Sequence, residues 1–113
     1  MTGPASTSPL LTASLPDVAT ELARLLATEG LDALAQQVAT LPVVDRCRCE
    51  DSFCATFYTA TPPKGAWGPG HKTIPLLDAN GRMVNVDVLN GAIVAVEVLD
   101  RDELRDRLRE LFP

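Results

Sequence analysis

Apolar residues recur every three or four positions in the first third of the chain, which predicts an amphipathic helix there. Ser14 is suited to cap this helix, Pro16 is tolerated in its first turn, and Asp17 stands in a capping-box position. Gly30 supplies a left-handed stop. The apolar stripe consists of Leu15, Val18, Ala19, Leu22, Leu25 and Leu26.

A second helix is predicted from Leu31 to about Thr40. It has to end there because Pro42 biases Leu41 away from helical geometry. Two short helices joined at Gly30 form a helical hairpin, a common cover for one face of a sheet.

After residue 42 the pattern changes to short runs of β-forming residues, which predict a sheet. A polar turn at residues 50–52 separates the first two runs, and Pro75 restricts the third to a sheet edge or a bulge. Residues 61–71 contain three Pro and three Gly, which predicts an irregular loop around Trp67. The predicted strands are residues 43–49, 53–59, 73–77, 83–89 and 92–99.

The turn at Asn90-Gly91 allows two registers for the last two strands. A two-residue loop pairs Val88 with Ile93 and places Asp87 on an apolar face. A three-residue loop that includes Leu89 gives one wholly apolar face, so we predict this second register. Its pairs are Val88 with Ala92, Val86 with Val94, and Val84 with Val96.

The chain closes with a third predicted helix, for which Asp100 and Glu103 complete a capping box. Its apolar stripe consists of Leu104, Leu108 and Leu111. The alternating Arg and acidic residues of 101–110 predict a solvated face with helix-spaced ion pairs. Together the elements predict an α+β fold, in which the N-terminal helical hairpin and the C-terminal helix pack on an antiparallel sheet of about five strands.

A chain of 113 residues suits a single domain. Residues 1–13 are rich in Thr, Ser, Pro and Gly and are expected to form a disordered arm, which leaves residues 14–113 as the domain. The arm lacks the basic and apolar segments of a secretory signal, so a cytoplasmic location is expected. No apolar run approaches the roughly 20 residues of a membrane span.

The net charge is −5, from ten basic and fifteen acidic residues. Nucleic acids and anionic membranes bind proteins largely through Lys and Arg, so we expect neither as a partner. The acidic balance fits ordinary solubility or a basic protein partner. Trp67, the only tryptophan, is interpreted either as a hydrophobic lid on its Pro/Gly loop or as a contact for such a partner.

The residues with the clearest chemistry are Cys47, Cys49, Cys54 and His71. Zinc favours four tetrahedral thiolate and imidazole ligands, and Cys₃His is an established structural set. On a strand, Cys47 and Cys49 point to the same face, and the following turn can return Cys54 beside them. His71, at the end of the Pro/Gly loop, can complete the set. The sequence therefore predicts a Cys₃His zinc site.

Two other interpretations of the cysteines stay open: reduced structural residues, and a redox or nucleophilic site. Arg46 and Arg48 favour a thiolate at Cys47, whereas nearby acidic residues act in the opposite sense. No Cys-x-x-Cys pair or Ser/His/Asp constellation is present, and paired carboxylates are expected only in turns and on helices. An enzyme is therefore the weaker interpretation.

Three segments of the chain resemble small bacterial proteins of unknown activity. These segments are residues 45–59 with the Cys-x-Cys-x₄-Cys spacing, the loop Gly68-Pro-Gly-His71, and residues 91–100. The last segment is similar to the closing hairpin of an uncharacterised bacterial domain that ends in G-x-I-x-G-I-E-I-L-D, and it departs from that pattern at Ala95, where the pattern has Gly. The resemblance implies the hairpin and no activity.

The sequence favours a non-enzymatic binding or regulatory module, stabilised by zinc, with a protein partner. One alternative is a thiol-dependent enzyme or redox sensor that uses Cys47, Cys49 or Cys54. Another is a structural subunit of a larger assembly.

Overall fold

The structure, a computed structural model, describes residues 8–113. Its helices are α1 (Leu11–Ser14), α2 (Pro16–Thr28), α3 (Asp32–Gln37), which continues into a 3₁₀ turn (Val38–Thr40), and α4 (Asp102–Leu111). Its strands are β1 (Asp45–Arg46), β2 (Phe57–Tyr58), β3 (His71–Leu77), β4 (Met83–Leu89) and β5 (Ala92–Val98). Within the described range, no helix has the length and apolar character needed to cross a membrane.

The five strands form one antiparallel sheet in the order β1-β2-β5-β4-β3. The predicted α+β fold is thereby confirmed. β3 lies at one edge of the sheet, as its Pro75 predicts. Because β2 and β3 are consecutive in the chain but separated by two strands in space, the Pro/Gly loop has to cross β5 and β4.

The helices cover one face of the sheet. Phe57 is 0% exposed at the centre of the core, and Leu22 of α2 and Leu104 of α4 pack towards it with the apolar side chains of β4 and β5. These inward strand residues are Val84, Val86, Val88, Ile93, Val96 and Val98. Burial of aliphatic side chains is the main source of stability in such a two-layer domain.

The opposite side of the sheet, here called the open face, is polar. Side chains alternate along a strand, so the outward neighbours of the buried Phe57 and Val86 are Tyr58 and Asp87. The open face carries Asp45, Tyr58, Thr73, Asn85, Asp87 and Glu97. The carboxyl groups of the strands, Asp45, Asp87 and Glu97, all lie on this face.

β4 and β5 are joined by the two-residue turn Asn90-Gly91, whose φ angles of 51° and 86° are those of a left-handed type I′ turn. The pairing then shifts between Asp87 and Val88, and Val94 is the extra residue of a β-bulge. The predicted three-residue register is therefore wrong, because the bulge, and not a longer loop, aligns the apolar face. The resulting pairs are Val88–Ile93, Asp87–Ala95, Val86–Val96 and Val84–Val98.

Both predicted helix caps are wrong. Ser14 is the last residue of α1, and Leu15 takes the N-cap position of α2. Arg101 takes the N-cap position of α4, because Asp100 lies one residue earlier with a φ of 61°. Neither N-cap residue makes a side-chain capping bond.

The predicted disordered arm extends too far along the chain. Leu11 is 0% exposed in the core, and its N–H donates to the carbonyl of Leu41 at 2.8 Å. The N–H of Val43 donates to the carbonyl of Pro9 at 2.8 Å. Residues 8–13 therefore belong to the domain, and the rest of the predicted arm, residues 1–7, lies outside the described residues.

The charged run of α4 does more than face solvent. Arg101 forms two hydrogen bonds to Glu21 of α2, at 2.9 and 3.2 Å, and Arg107 pairs with Asp17 at 2.9 Å. Helix-spaced pairs such as Arg105–Asp102 are also present. The prediction of a solvated face is therefore incomplete, since these arginines tie α4 to α2 across the core.

Candidate metal centre

The sulfur atoms of Cys47, Cys49 and Cys54 all lie within 4.8 Å of one another. All three thiols are free. In a tetrahedral zinc site with Zn–S bonds of about 2.3 Å, the sulfurs are roughly 3.8 Å apart. The three cysteines therefore need only small side-chain adjustments to bind one soft metal ion together.

The backbone around β1 and β2 explains this convergence. The N–H of Cys47 donates to the carbonyl of Thr56 at 2.9 Å, which continues the pairing one step beyond β1. The N–H of Cys54 donates to the carbonyl of Asp51 at 3.2 Å, and Glu50 takes a φ of 65° to turn the chain. An isolated bridge from Cys54 to Leu99 fixes the returning segment against the end of β5. The predicted strands are shortened here because the chain turns to gather its thiols.

Four arginines, here called the arginine clamp, hold this turn against α4. Arg105 and Arg109 of α4 donate to the carbonyls of Ser52 and Asp51. In the other direction, Arg46 donates to the carbonyl of Phe112 at 2.7 Å and Arg48 to that of Pro113 at 2.8 Å. Arg46 is only 8% exposed. The clamp therefore pre-organises residues 47–54, here called the thiol loop, while each of its arginines also forms an ion pair with an acidic side chain.

The three thiols differ in exposure and acidity. Cys49 is exposed, whereas Cys47 and Cys54 are half-buried. The Asp51 amide lowers the pKa of the Cys49 thiol, but desolvation and hydrogen bonds with Cys54 and Cys47 outweigh it and raise the pKa to about 11. Burial raises the pKa of Cys54, but the Thr56 amide and hydroxyl and the other two thiols outweigh it and lower the pKa. The thiols therefore titrate as one coupled group.

Tyr58 links the cluster with Trp67. Burial raises the pKa of the Tyr58 phenol, and the charge of Cys47 and a hydrogen bond with it act in the same direction. On its other side, the Tyr58 ring lies with its centroid 6.5 Å from that of Trp67, at an interplanar angle of 52°. Trp67 is half-buried. This placement agrees with the interpretation of Trp67 as a lid, and its role as a partner contact stays a prediction.

His71 does not join the cysteines. It begins β3, at the edge of the sheet opposite β1. Its Nε2 atom lies 2.9 Å from Oδ1 of Asp87, which also accepts a hydrogen bond from the Thr73 hydroxyl at 2.7 Å. Among residues 8–113, the cluster with metal-ligand geometry is formed by the three cysteines alone. The predicted fourth ligand is therefore wrong, because the loop carries His71 across two strands.

Asp87 and Glu97 form a carboxyl pair on the open face, although paired carboxylates were expected only in turns and on helices. A hydrogen bond to Asp87 is the largest of the effects that raise the pKa of Glu97 to about 7, with desolvation and the charge of Asp87 adding to it. Burial raises the pKa of Asp87, but hydrogen bonds from Glu97, Thr73 and His71 outweigh it and lower the pKa. Asp87 and Glu97 both occupy outward-facing positions of their strands, and this alternation is the feature of the sequence that could have predicted the pair.

Comparisons of the chain with protein-family models, with curated proteins and with solved structures find no match. The resemblance to small bacterial proteins therefore stays a prediction. The functional interpretation rests on the thiol cluster and its surroundings.

Proposed function

We propose that this protein is a metal-binding module in which Cys47, Cys49 and Cys54 hold one zinc ion. The observation that supports this most directly is the mutual approach of the three sulfur atoms within 4.8 Å. Thiolates are soft ligands that select zinc over the hard cations magnesium and calcium.

In this proposal the fourth coordination position is open to a water molecule or to a ligand from a partner. Structural zinc sites are closed by four protein ligands, whereas sites that exchange ligands keep one position free. Cys49 is exposed, so the proposed position faces solvent. A site of this kind suits a binding or regulatory role in which metal occupancy changes the hairpin turn and, through the arginine clamp, the end of α4.

The test is a zinc titration of the reduced protein against a chromophoric chelator, performed without oxygen. We expect about one zinc ion per chain and a zinc-dependent rise in the unfolding temperature, because a ligand that binds only the folded state stabilises it. Cys47→Ser and Cys54→Ser each remove one ligand and should abolish both effects. Full retention of zinc by both variants, or no zinc bound by the unchanged protein, overturns the proposal.

A further inference from the structure

We propose that Cys49 and Cys54 are also an oxidation site, which a hydroperoxide such as hydrogen peroxide converts into a disulfide. The inference that oxidation releases the metal rests on the zinc site proposed above. The inference that the disulfide forms is independent of that site, because it requires only the arrangement of the two thiols.

The register of β1 and β2, when it is extended into the turn, brings these two cysteines opposite each other. Asp45 pairs with Tyr58 and Arg46 with Phe57, and the hydrogen bond from Cys47 to Thr56 continues this register. Extrapolated by two further steps, past the residues of β1 and β2, the register brings Cys49 opposite Cys54, and their sulfur atoms lie within 4.8 Å of each other. Directly opposed residues of an antiparallel pair have Cβ atoms about 4.5–5.5 Å apart, and a disulfide requires about 3.5–4.5 Å. A small closure of the turn is therefore sufficient.

Cys47 is the less suitable partner for either thiol. It precedes Cys49 by two residues, and in an extended chain Cα atoms with that separation are roughly 6.6 Å apart with parallel side chains. That spacing is near the upper limit for a disulfide. Cys47 is also half-buried, whereas Cys49 is exposed. The register and the exposure of Cys49 therefore favour Cys49 with Cys54 among three thiols whose sulfur atoms all lie within 4.8 Å of one another.

The exposed side chain of Cys49 gives the oxidant access to the pair. The thiolate of one of the two cysteines attacks one peroxide oxygen, the O–O bond breaks and hydroxide leaves, which gives a sulfenic acid. The thiolate of the other cysteine then attacks that sulfur, the S–S bond forms and the S–O bond breaks with loss of a second hydroxide. The two thiolates supply the two electrons that reduce the peroxide.

The disulfide removes two of the three proposed zinc ligands. Cys47 alone cannot retain the ion, because zinc binding depends on several thiolates acting together. A dithiol reductant restores both thiols by exchange and allows the metal to bind again. Oxidation is thereby coupled to metal release at one short turn.

The experiment starts from reduced protein whose zinc content has first been measured. Hydrogen peroxide is added in equimolar amount, released zinc is followed with a chromophoric chelator, and the products are mapped by peptide mass spectrometry. We expect a mass lower by two hydrogens, a Cys49–Cys54 crosslink, and zinc release at the same rate as crosslinking. Cys49→Ser and Cys54→Ser should form no intramolecular disulfide, whereas Cys47→Ser should still form the crosslink.

The outcomes separate the two proposals. Zinc-loaded protein that resists crosslinking, or that crosslinks through Cys47, overturns the oxidation site and leaves the zinc site standing. Protein that binds no zinc but forms the Cys49–Cys54 crosslink overturns the zinc site and supports the oxidation site. Release of zinc without any disulfide overturns the coupling between them.

Discussion

The Nε2 atom of His71 on the edge strand β3 lies 2.9 Å from Oδ1 of Asp87 on the neighbouring strand β4, away from the three cysteines. Asp87 is 4% exposed and receives a second hydrogen bond from Thr73. A buried carboxylate is stable only when its oxygens are well paired. His71 therefore serves the open face of the sheet, and the proposed zinc site does not include it.

His71→Ala is expected to leave zinc affinity unchanged, because the imidazole is not among the converging ligands. The matched comparison is Cys54→Ser, which keeps a side chain of similar size and removes one thiolate. Chelator competition measures both affinities. A loss of zinc affinity in His71→Ala comparable with that in Cys54→Ser would contradict the assignment of three cysteine ligands.

Stability should fall as the pH rises from about 4.5 to about 7 because of Glu97. Its pKa is raised from 4.5 to about 7, so in this range the folded protein binds more protons than the unfolded chain. The free energy of unfolding decreases with pH wherever that is so. Asp87 acts in the opposite sense at lower pH, since its lowered pKa makes its contribution disappear as the pH falls below 3.8.

Glu97→Gln tests this directly, because the amide can still donate to Asp87 but does not titrate. Urea unfolding of metal-free, reduced protein at several pH values gives the free energies. We expect a flatter profile between pH 4.5 and 7 in the variant than in the unchanged protein. If the free energy of unfolding changes with pH equally in both proteins, the carboxyl pair does not control the pH dependence of stability.

Arg105→Ala should weaken zinc binding by roughly tenfold, at the lower end of the range for partners that orient metal ligands. The change removes the hydrogen bond from α4 to the carbonyl of Ser52 in the thiol loop. Arg107→Ala is the matched control, since it lies on the same helix and loses its pair with Asp17 of α2. Equal zinc affinities for the two variants would show that the arginine clamp does not contribute to zinc binding.

Gly70→Ala should destabilise the protein more than Gly68→Ala. Both glycines have left-handed φ angles, 89° and 98°, which cost a residue with a Cβ atom about 1–2 kcal/mol. A Cβ atom at Gly70 would in addition clash with Oδ1 of Asn90, whereas one at Gly68 meets nothing within 4 Å.

Thermal unfolding measures the difference between the two alanine variants. Adding Asn90→Gly to Gly70→Ala removes the contacted side chain and should bring the cost down to that of Gly68→Ala. If the two single variants are equally stable, the close approach of the Pro/Gly loop to the β4–β5 turn is not a constraint on folding.

Local patterns in the sequence were sufficient to predict the order of the elements from α2 onwards, but not α1, which begins inside the predicted disordered arm. Helical and strand periodicity placed the helical hairpin, the last two strands and α4, and Pro75 placed β3 at an edge. The approach of the three cysteines also follows from local rules, since Cys47 and Cys49 are two residues apart and a short turn returns Cys54.

Features that depend on tertiary arrangement could not be predicted from local patterns in the sequence. The fourth ligand was assigned to His71 because its loop can reach many places, and only the strand order shows that it crosses to the far edge. The approach of Asp87 to Glu97 depends on the bulge at Val94, and no residue of the turn predicts that bulge. The caps at Ser14 and Asp100 were misplaced because α1 and the bend before α4 shift both helix starts.

X-ray absorption spectroscopy at the zinc edge tests the central claim most directly, because it counts the atoms bound to the metal. Reduced, zinc-loaded protein should show three sulfur neighbours at about 2.3 Å and one lighter neighbour, and His71→Ala should give the same spectrum. A spectrum with the multiple-scattering signature of imidazole that disappears in His71→Ala would contradict the account, as would a zinc ion with fewer than three sulfur neighbours.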